Sequence, residues 1–168
     1  RIVDGFAMSD VPFYIILGIF AALTSIFFAS VYEHVQKLFD RLNSPLKRII
    51  IGGISIGILI YFIPPLYGEG FDVMNSLIAG NPEKALQHNY FNFDLSNIWV
   101  IIFLLAGLVF FKIIASAITF GAGGVGGIFA PTLFMGSIMG NCIGKVINAL
   151  GIANSHVSES NFTLVGMA

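Results

Sequence analysis

The chain has 168 residues, of which 57% are hydrophobic and only 10% are charged, and its formal net charge is −1. Because soluble domains carry about 25% charged residues, this composition excludes an ordinary soluble protein and indicates a multi-pass integral membrane protein, which we expect in the cell membrane. No basic cluster is present, so we expect no nucleic-acid partner. The chain begins at Arg1 and stops at Ala168 inside an apolar stretch, so we expect it to be a piece of a longer protein.

Two long apolar runs early in the chain predict two membrane-spanning helices. No charged residue occurs between Asp10 and Glu33, which is enough chain to cross a hydrocarbon core of about 30 Å. The apolar pattern then continues, so we expect a long, tilted helix over 11–42. Pro45 suits the first turn of a second helix, which we expect over 46–63.

The segment after the second helix is predicted to be irregular. Pro64–Pro65 ends that helix, and Gly68–Gly70 reads as a turn. A short helix is expected over 71–79. The polar and aromatic residues of 83–97 predict a partly helical connector.

A third long helix is expected over 96–119, with Ser96 or Asn97 near its N-cap. Lys112 interrupts its apolar sequence. A charge near the middle of a membrane is costly and often functional. Lys112 would lie about 24 Å along the helix, near its far end, so we expect its side chain to snorkel to the interface.

A glycine-dense turn follows, and no charged residue occurs between Lys112 and Lys145. A fourth helix is expected over 129–150, because Pro131 fits a first turn, where its missing N–H costs nothing. This fourth helix would be a half-helix, one that starts within the membrane and not at its surface. Irregular backbone at that depth is tolerated only if it is buried in protein or lines a cavity. Another helix is expected to start near residue 160.

The start of such a helix is a candidate anion site. Its first backbone N–H groups have no partner within the helix, and with the macrodipole they amount to roughly half a positive charge. In a bilayer little water is present to satisfy them. A half-helix that begins at membrane depth is therefore a place where an anion can bind.

Two other interpretations of the glycines remain open at this point. Gly121, Gly123 and Gly126 match the GxGxxG dinucleotide fingerprint, which needs a preceding strand and an acidic residue about 20 positions later. Here a helix-length apolar run precedes the turn, and the next acidic residue is Glu159, so that interpretation is disfavoured. The glycines could instead serve only to let two helices pack closely.

Glycines four residues apart recur in two of the predicted helices. Such spacing places small residues on one helix face and indicates close packing against a neighbour. The positions are Gly53 and Gly57 in the second helix and Gly136, Gly140 and Gly144 in the fourth.

The hexapeptide GGIFAP, from Gly126 to Pro131, resembles the GxFxP signature of the CLC family of chloride channels and chloride/proton exchangers. The match falls on Gly127, Phe129 and Pro131. Further landmarks agree in order: the paired prolines, the GEGF stretch that follows them, and LVGMA at the end of the chain, which resembles the start of the next family helix. The resemblance covers nearly the whole chain.

This resemblance implies an all-α, polytopic membrane fold and passage of chloride or similar monovalent anions, as a channel or as an exchanger. The backbone N–H groups of Ile128 and Phe129 would hold the anion. Gly126, Gly127 and Pro131 would shape the turn, and we expect Gly127 to need a backbone conformation that only glycine adopts. The resemblance implies no cofactor and no enzymatic activity, and it implies a homodimer for the intact protein, completed by the rest of the same chain. The family's gating glutamate and its serine and tyrosine anion ligands have no counterpart in this sequence.

An alternative is another secondary transporter that places a small anionic metabolite on the same half-helix. A membrane-embedded enzyme is a third possibility, but no Ser/His/Asp set or carboxylate pair lies near the glycine turn. The three histidines share no metal-ligand spacing, so we expect no metal site; they are His34, His88 and His156.

The loops predict the orientation of the helices. Residues 33–48 carry four basic and two acidic residues, whereas residues 64–97 carry one basic and four acidic residues. Because Lys and Arg mark cytoplasmic loops, we expect the first connector inside and the second outside. The third helix would then run inward, and the fourth would climb outward with its positive end at depth.

Overall fold

A computed structural model of the protein describes residues 10–86, 97–152 and 156–168, and in these ranges the chain is helical without any strand. The prediction of an all-α protein is confirmed. The elements in chain order are α1 (Val11–Asp40), α2 (Pro45–Phe62), a 3-10 turn (Pro64–Leu66), α3 (Phe71–Ile78), α4 (Pro82–Leu86), α5 (Ile98–Gly121), α6 (Phe129–Leu150) and α7 (Glu159–Met167).

Helices α1, α2, α5 and α6 are long and apolar enough to cross a membrane. In α5 and α6, 39% and 56% of the most apolar window is buried within the chain, against 6% in both α1 and α2. Helices α5 and α6 therefore form the centre of the bundle. The outer faces of α1 and α2 are apolar and are left for lipid or for the rest of the protein, as expected of an integral membrane protein.

The helix ends follow local sequence signals. Pro45 opens α2 directly after Ser44, and the side chain of Asn97 caps α5 by accepting a hydrogen bond from the Trp99 N–H. Of the two expected N-cap residues, Asn97 is the one used; Ser96 lies outside the described residues. Part of the expected connector, α4, is helical, and the rest of it is likewise not described.

Helices α1 and α5 run side by side in the same direction, and α2 runs against them. Phe27 stacks on Phe110 with ring centroids 5.9 Å apart, and Tyr32 meets the edge of Phe120 at the same distance. Near the end of α5, a Cβ added to Gly121 would lie 2.8 Å from the Phe39 ring. The point where α5 ends and the glycine turn begins is therefore held against the last turns of α1.

The glycine face predicted on α2 has no packing partner in the described part of the chain. Among the described residues, nothing lies within 4 Å of a Cβ built at Gly53 or at Gly57. The close contact falls on Gly52 instead, where an added Cβ would lie 2.3 Å from Cβ of Ala122. Spacing alone indicated a small-residue face on α2, but the neighbour lies on the adjacent side of the helix.

The glycine face predicted on α6 packs against α7. A Cβ at Gly136 would lie 2.0 Å from the Gly166 carbonyl oxygen, and one at Gly140 would lie 1.9 Å from that of Phe162. The two backbones therefore approach as closely as glycine permits. At the far end of the same contact, Lys145 Nζ donates to a carboxylate oxygen of Glu159 at 2.6 Å, which ties α7 to α6.

Candidate anion site

The glycine turn starts with a hydrogen-bonded helix terminus. Gly124 N–H donates to the Thr119 carbonyl at 2.8 Å, and Gly123 N–H donates to that of Phe120 at 3.0 Å. This paired pattern is the Schellman motif, which requires a left-handed residue after the helix. Gly123 supplies it with a φ of 93°. The Thr119 and Phe120 carbonyls at the end of α5 are thereby satisfied, and the chain is turned towards α6.

Helix α6 begins at Phe129, and Ile128 is its N-cap with no side-chain capping bond. Among the described residues, no acceptor lies within hydrogen-bonding distance of the N–H groups of Ile128, Phe129 or Ala130. Pro131 is the third residue of α6 and has no N–H to satisfy. The start of α6 therefore presents consecutive free donors at the positive end of a 22-residue helix.

The first carbonyls of α6 are engaged, in contrast to its first donors. The Thr132 hydroxyl donates to the carbonyl oxygens of Ile128 and Phe129, at 3.0 and 2.8 Å. The Thr132 N–H also donates to the Ile128 carbonyl, at 3.1 Å. These contacts turn the carbonyl dipoles along the helix and away from its open end, so negative partial charge does not compete with a ligand there.

The open end is accessible from outside the described chain. Ile128 and Phe129 are 51% and 73% exposed, and Gly126 and Gly127 are also exposed. The predicted binding residues thus lie together at one helix start. Whatever encloses an anion there has to come from another part of the protein.

The positions in the turn that require glycine for steric reasons are not the one that the sequence predicted. Gly127 does not have a positive φ, and the nearest atom to a Cβ built there is the Phe129 nitrogen at 3.9 Å. The expectation that Gly127 needs a glycine-only conformation is therefore wrong. Gly123 has that conformation, and a Cβ at Gly124 would lie 2.7 Å from the Thr119 carbonyl oxygen. Space is left free around Gly126 and Gly127, on the approach to the α6 donors.

A cavity of about 400 Å³ lies behind the turn. It is bounded on one side by the glycine turn and α6, through Gly126, Gly127 and Pro131, and on the other by α5 and the segment that follows α2. Lys112 and Glu69 bring charged groups to its wall. The glycine turn and the segment after α2, which are both irregular backbone, thus face the same cavity. Within a membrane, irregular backbone is tolerated where it lines a cavity.

The expectation that Lys112 snorkels to an interface is wrong. Its side chain is only 5% exposed, and Nζ donates to the carbonyl oxygens of Leu66 at 3.2 Å and Gly68 at 2.8 Å. The ammonium also lies 4.8 Å from the centroid of the Phe134 ring. Lys112 is about 21 Å along α5 from Ile98, so the segment after α2 contacts α5 far from the start of that helix. A lone charge in an apolar helix is the signal that pointed to this residue.

The disfavoured alternatives find no support in the described residues. A helix, α5, precedes the glycine turn where a dinucleotide site needs a strand. Outside the stretches that are not described, no group of three His, Cys, Asp or Glu residues could hold a metal ion. His88, one of the three histidines, lies in a stretch that is not described.

Comparison with known proteins finds one family over nearly the whole chain. The sequence profile described as "Voltage gated chloride channel" matches residues 2–168. The chain is 31% identical over 170 residues to chloride channel protein CLC-f of Arabidopsis thaliana, an alignment that covers 95% of this chain and 20% of that protein. It is 29% identical to a putative chloride channel protein ClcB-like of Ralstonia nicotianae, with 94% of this chain and 33% of that protein covered.

A voltage-gated ClC-type chloride channel ClcB of Escherichia coli is 25% identical, over 81% of this chain and 28% of that protein. No solved structure matches the chain. The chain spans a third or less of the length of these three relatives. From the profile match over nearly its whole length, the chain belongs to the voltage-gated chloride channel family.

Proposed function

We propose that the intact protein moves chloride or similar monovalent anions across a membrane, as a channel or as a chloride/proton exchanger. The observation that carries the proposal is the open start of α6, where the N–H groups of Ile128 and Phe129 have no acceptor among the described residues. That helix start lies within the segment from Gly126 to Pro131 that resembles the family signature.

The mechanism is electrostatic. An anion that enters the protein loses hydration, which costs several kcal/mol or more if nothing replaces the water. Free backbone donors and the α6 dipole supply that replacement. Because they carry partial and not full charges, they hold the anion without trapping it, which conduction requires.

The exposed groups around the donors set the shape of the pathway. The Phe129 side chain, 73% exposed, projects an apolar ring beside the donors and would exclude bulk water there. The free space around Gly126 and Gly127 leaves the approach to the donors unobstructed by the described chain. The remaining ligands would come from the rest of the same chain, and we expect the intact protein to be a homodimer in the bilayer.

Reconstitution of the intact protein in chloride-loaded liposomes tests the transport proposal. We expect chloride efflux once a potassium ionophore removes the opposing membrane potential. Efflux of a small carboxylate in place of chloride would support the metabolite transporter instead. Absence of any anion flux from correctly folded protein would overturn the proposal.

The binding site itself is tested by replacing the amide at Phe129 with an ester. This change deletes one N–H and keeps every side chain. We expect it to weaken chloride binding, while the side-chain change Ile128→Val leaves binding nearly unchanged.

A further inference from the structure

Lys112 has a role that the anion site alone does not explain. It is a buried cation in the central helix α5, and its ammonium is bonded to backbone carbonyls of a segment 44 and 46 positions earlier in the chain. We propose that Lys112 is a positioning residue for the anion site: it holds the Pro64–Gly70 turn in place as the wall that supports the start of α6. This inference rests on the proposed function.

The Pro64–Gly70 turn is irregular backbone, so its carbonyls depend on partners outside a regular helix. It consists of the short 3-10 turn and two left-handed glycines, Gly68 with a φ of 62° and Gly70 with a φ of 80°. Its carbonyls would be costly to leave unpaired away from water. Lys112 satisfies two of them, those of Leu66 and Gly68.

The same turn packs directly on α6. A Cβ at Gly70 would lie 2.2 Å from Cδ2 of Phe134, so the backbone of the turn touches the ring face. Phe134 is completely buried and lies about 7.5 Å along α6 from Phe129. The Lys112 ammonium lies 4.8 Å from the centroid of the same ring. Lys112 thus joins α5, the turn and the first part of α6 at one point.

The cavity connects this contact point to the N–H groups that are proposed to bind the anion. Its wall includes Lys112 and Ser116 on one face of α5, the carbonyl-bearing turn on the opposite side, and Gly126 and Gly127 next to the start of α6. If the turn is released, the part of the cavity wall that it forms is lost, and α6 loses the contact of Phe134 with Gly70. Because interfaces of this kind adopt discrete arrangements, the donors of Ile128 and Phe129 would no longer be held in one position.

Lys112→Met tests the inference, because methionine fills similar space without a charge or a donor. We expect the intact, folded variant to bind chloride about 2- to 30-fold more weakly by calorimetry, the range that residues coupled to a site through packed contacts produce. Lys112→Arg keeps the charge and the donors, so it should restore affinity to near the original value. If Lys112 served only global stability, Lys112→Met would lower the unfolding temperature, but chloride affinity would not fall with methionine and stay near its original value with arginine.

A second readout follows the turn directly. Ser116→Cys places a thiol in the cavity wall, on a residue that is 6% exposed, in a background where the native Cys142 is replaced by alanine. We expect a small methanethiosulfonate reagent to label this thiol faster when Lys112→Met is also present, and at the original rate with Lys112→Arg. An unchanged labelling rate with Lys112→Met would mean that Lys112 does not hold the turn.

Lys145→Met is the matched control. Lys145 is also buried, at 6% exposure, but its partner is Glu159 and it lies about 24 Å along α6 from Phe129. Its loss should lower stability and leave chloride affinity and Ser116→Cys labelling unchanged. Equal loss of chloride affinity in both lysine variants would overturn the proposal, since any buried lysine would then have the same effect.

The two proposals fail in different ways. If Lys112→Met leaves chloride affinity unchanged while the ester at Phe129 lowers it, the positioning role is wrong and the anion site stands. If neither change affects affinity, the anion site itself is wrong. Should Lys112→Met not fold, an ester in place of the Glu69 amide weakens the Gly68 carbonyl as an acceptor and retains all side chains. Unchanged chloride affinity in that variant would overturn the inference.

Discussion

Deleting one backbone N–H at the start of α6 is the most direct perturbation of the proposed site. An α-hydroxy acid in place of Phe129 puts an ester oxygen where the N–H was and keeps the ring. In the described chain this N–H has no acceptor, so its removal breaks no bond within the fold. Any loss of chloride affinity then reports on the ligand.

The size of the effect follows from the type of bond. A hydrogen bond to a charged group contributes about 1.5–3 kcal/mol. At about 1.4 kcal/mol per factor of ten, chloride affinity should fall roughly 10- to 150-fold. Ile128 and Ala130 still offer donors, so binding should be weakened and not abolished.

Calorimetric titration of the intact protein with chloride measures the change, and two controls separate its causes. An ester at Val125 deletes an N–H in the same turn, on a residue that is fully exposed, and should leave affinity unchanged. The ester at Phe129 also weakens the Ile128 carbonyl, which accepts a bond from the Thr132 hydroxyl at 3.0 Å. Thr132→Val removes the bonds of this hydroxyl to the Ile128 and Phe129 carbonyls and should change chloride affinity little.

Unchanged affinity with the ester at Phe129 would refute the reasoning, because it would place the anion away from this helix start. Equal losses with the esters at Phe129 and Val125 would also contradict it. That result would mean that the turn as a whole, and not the α6 donors, governs binding.

Three further outcomes are expected. In the intact protein, thiols introduced by Asn43→Cys and Ile152→Cys should be labelled from opposite sides of the membrane. The thiol at position 43 should be labelled from the cytoplasm, because Lys and Arg concentrate near Asn43. Labelling of both thiols from one side would reject the topology. The chain alone in liposomes should not conduct anions, since one helix end replaces only part of the lost hydration, and selective flux would show a self-contained site. Gly140→Ala should destabilise the folded protein by about 1–3 kcal/mol in a denaturant titration, because its Cβ would overlap the Phe162 carbonyl. Gly57→Ala is the control and should not destabilise it, because the described chain leaves space there. Equal stabilities of the two variants would contradict the α6–α7 contact.

Sequence reasoning located the helices closely because their signals are local. Apolar run length, proline at first turns and glycine at helix ends each act within a few residues. The start expected at 129 coincides with that of α6, and the expected start at 46 differs from that of α2 by one residue. The candidate site residues Ile128 and Phe129 could be named from the sequence for the same reason, since adjacent residues at a helix start lie together whatever the remainder of the fold.

Long-range pairings were decided only by the tertiary structure. From its position along α5 alone, Lys112 is predicted to lie at the membrane interface. Its partner carbonyls lie 44 and 46 positions earlier in the chain, so the local sequence does not show them. Nothing in the local pattern shows that the chain after α2 contacts this part of α5. The contact depends on how α2, α5 and α6 pack, and so does the cavity that joins Lys112 to the glycine turn.

The glycines show the same division. Four-residue spacing is enough to place Gly136 and Gly140 on one face of α6, and α7 happens to occupy that face. The same spacing in α2 pointed to Gly53 and Gly57, yet Gly52 makes the close contact. A repeat in the sequence determines which residues share a helix face, but the position of the neighbouring helix determines which face is buried, and that position is set by packing contacts between segments far apart in the chain.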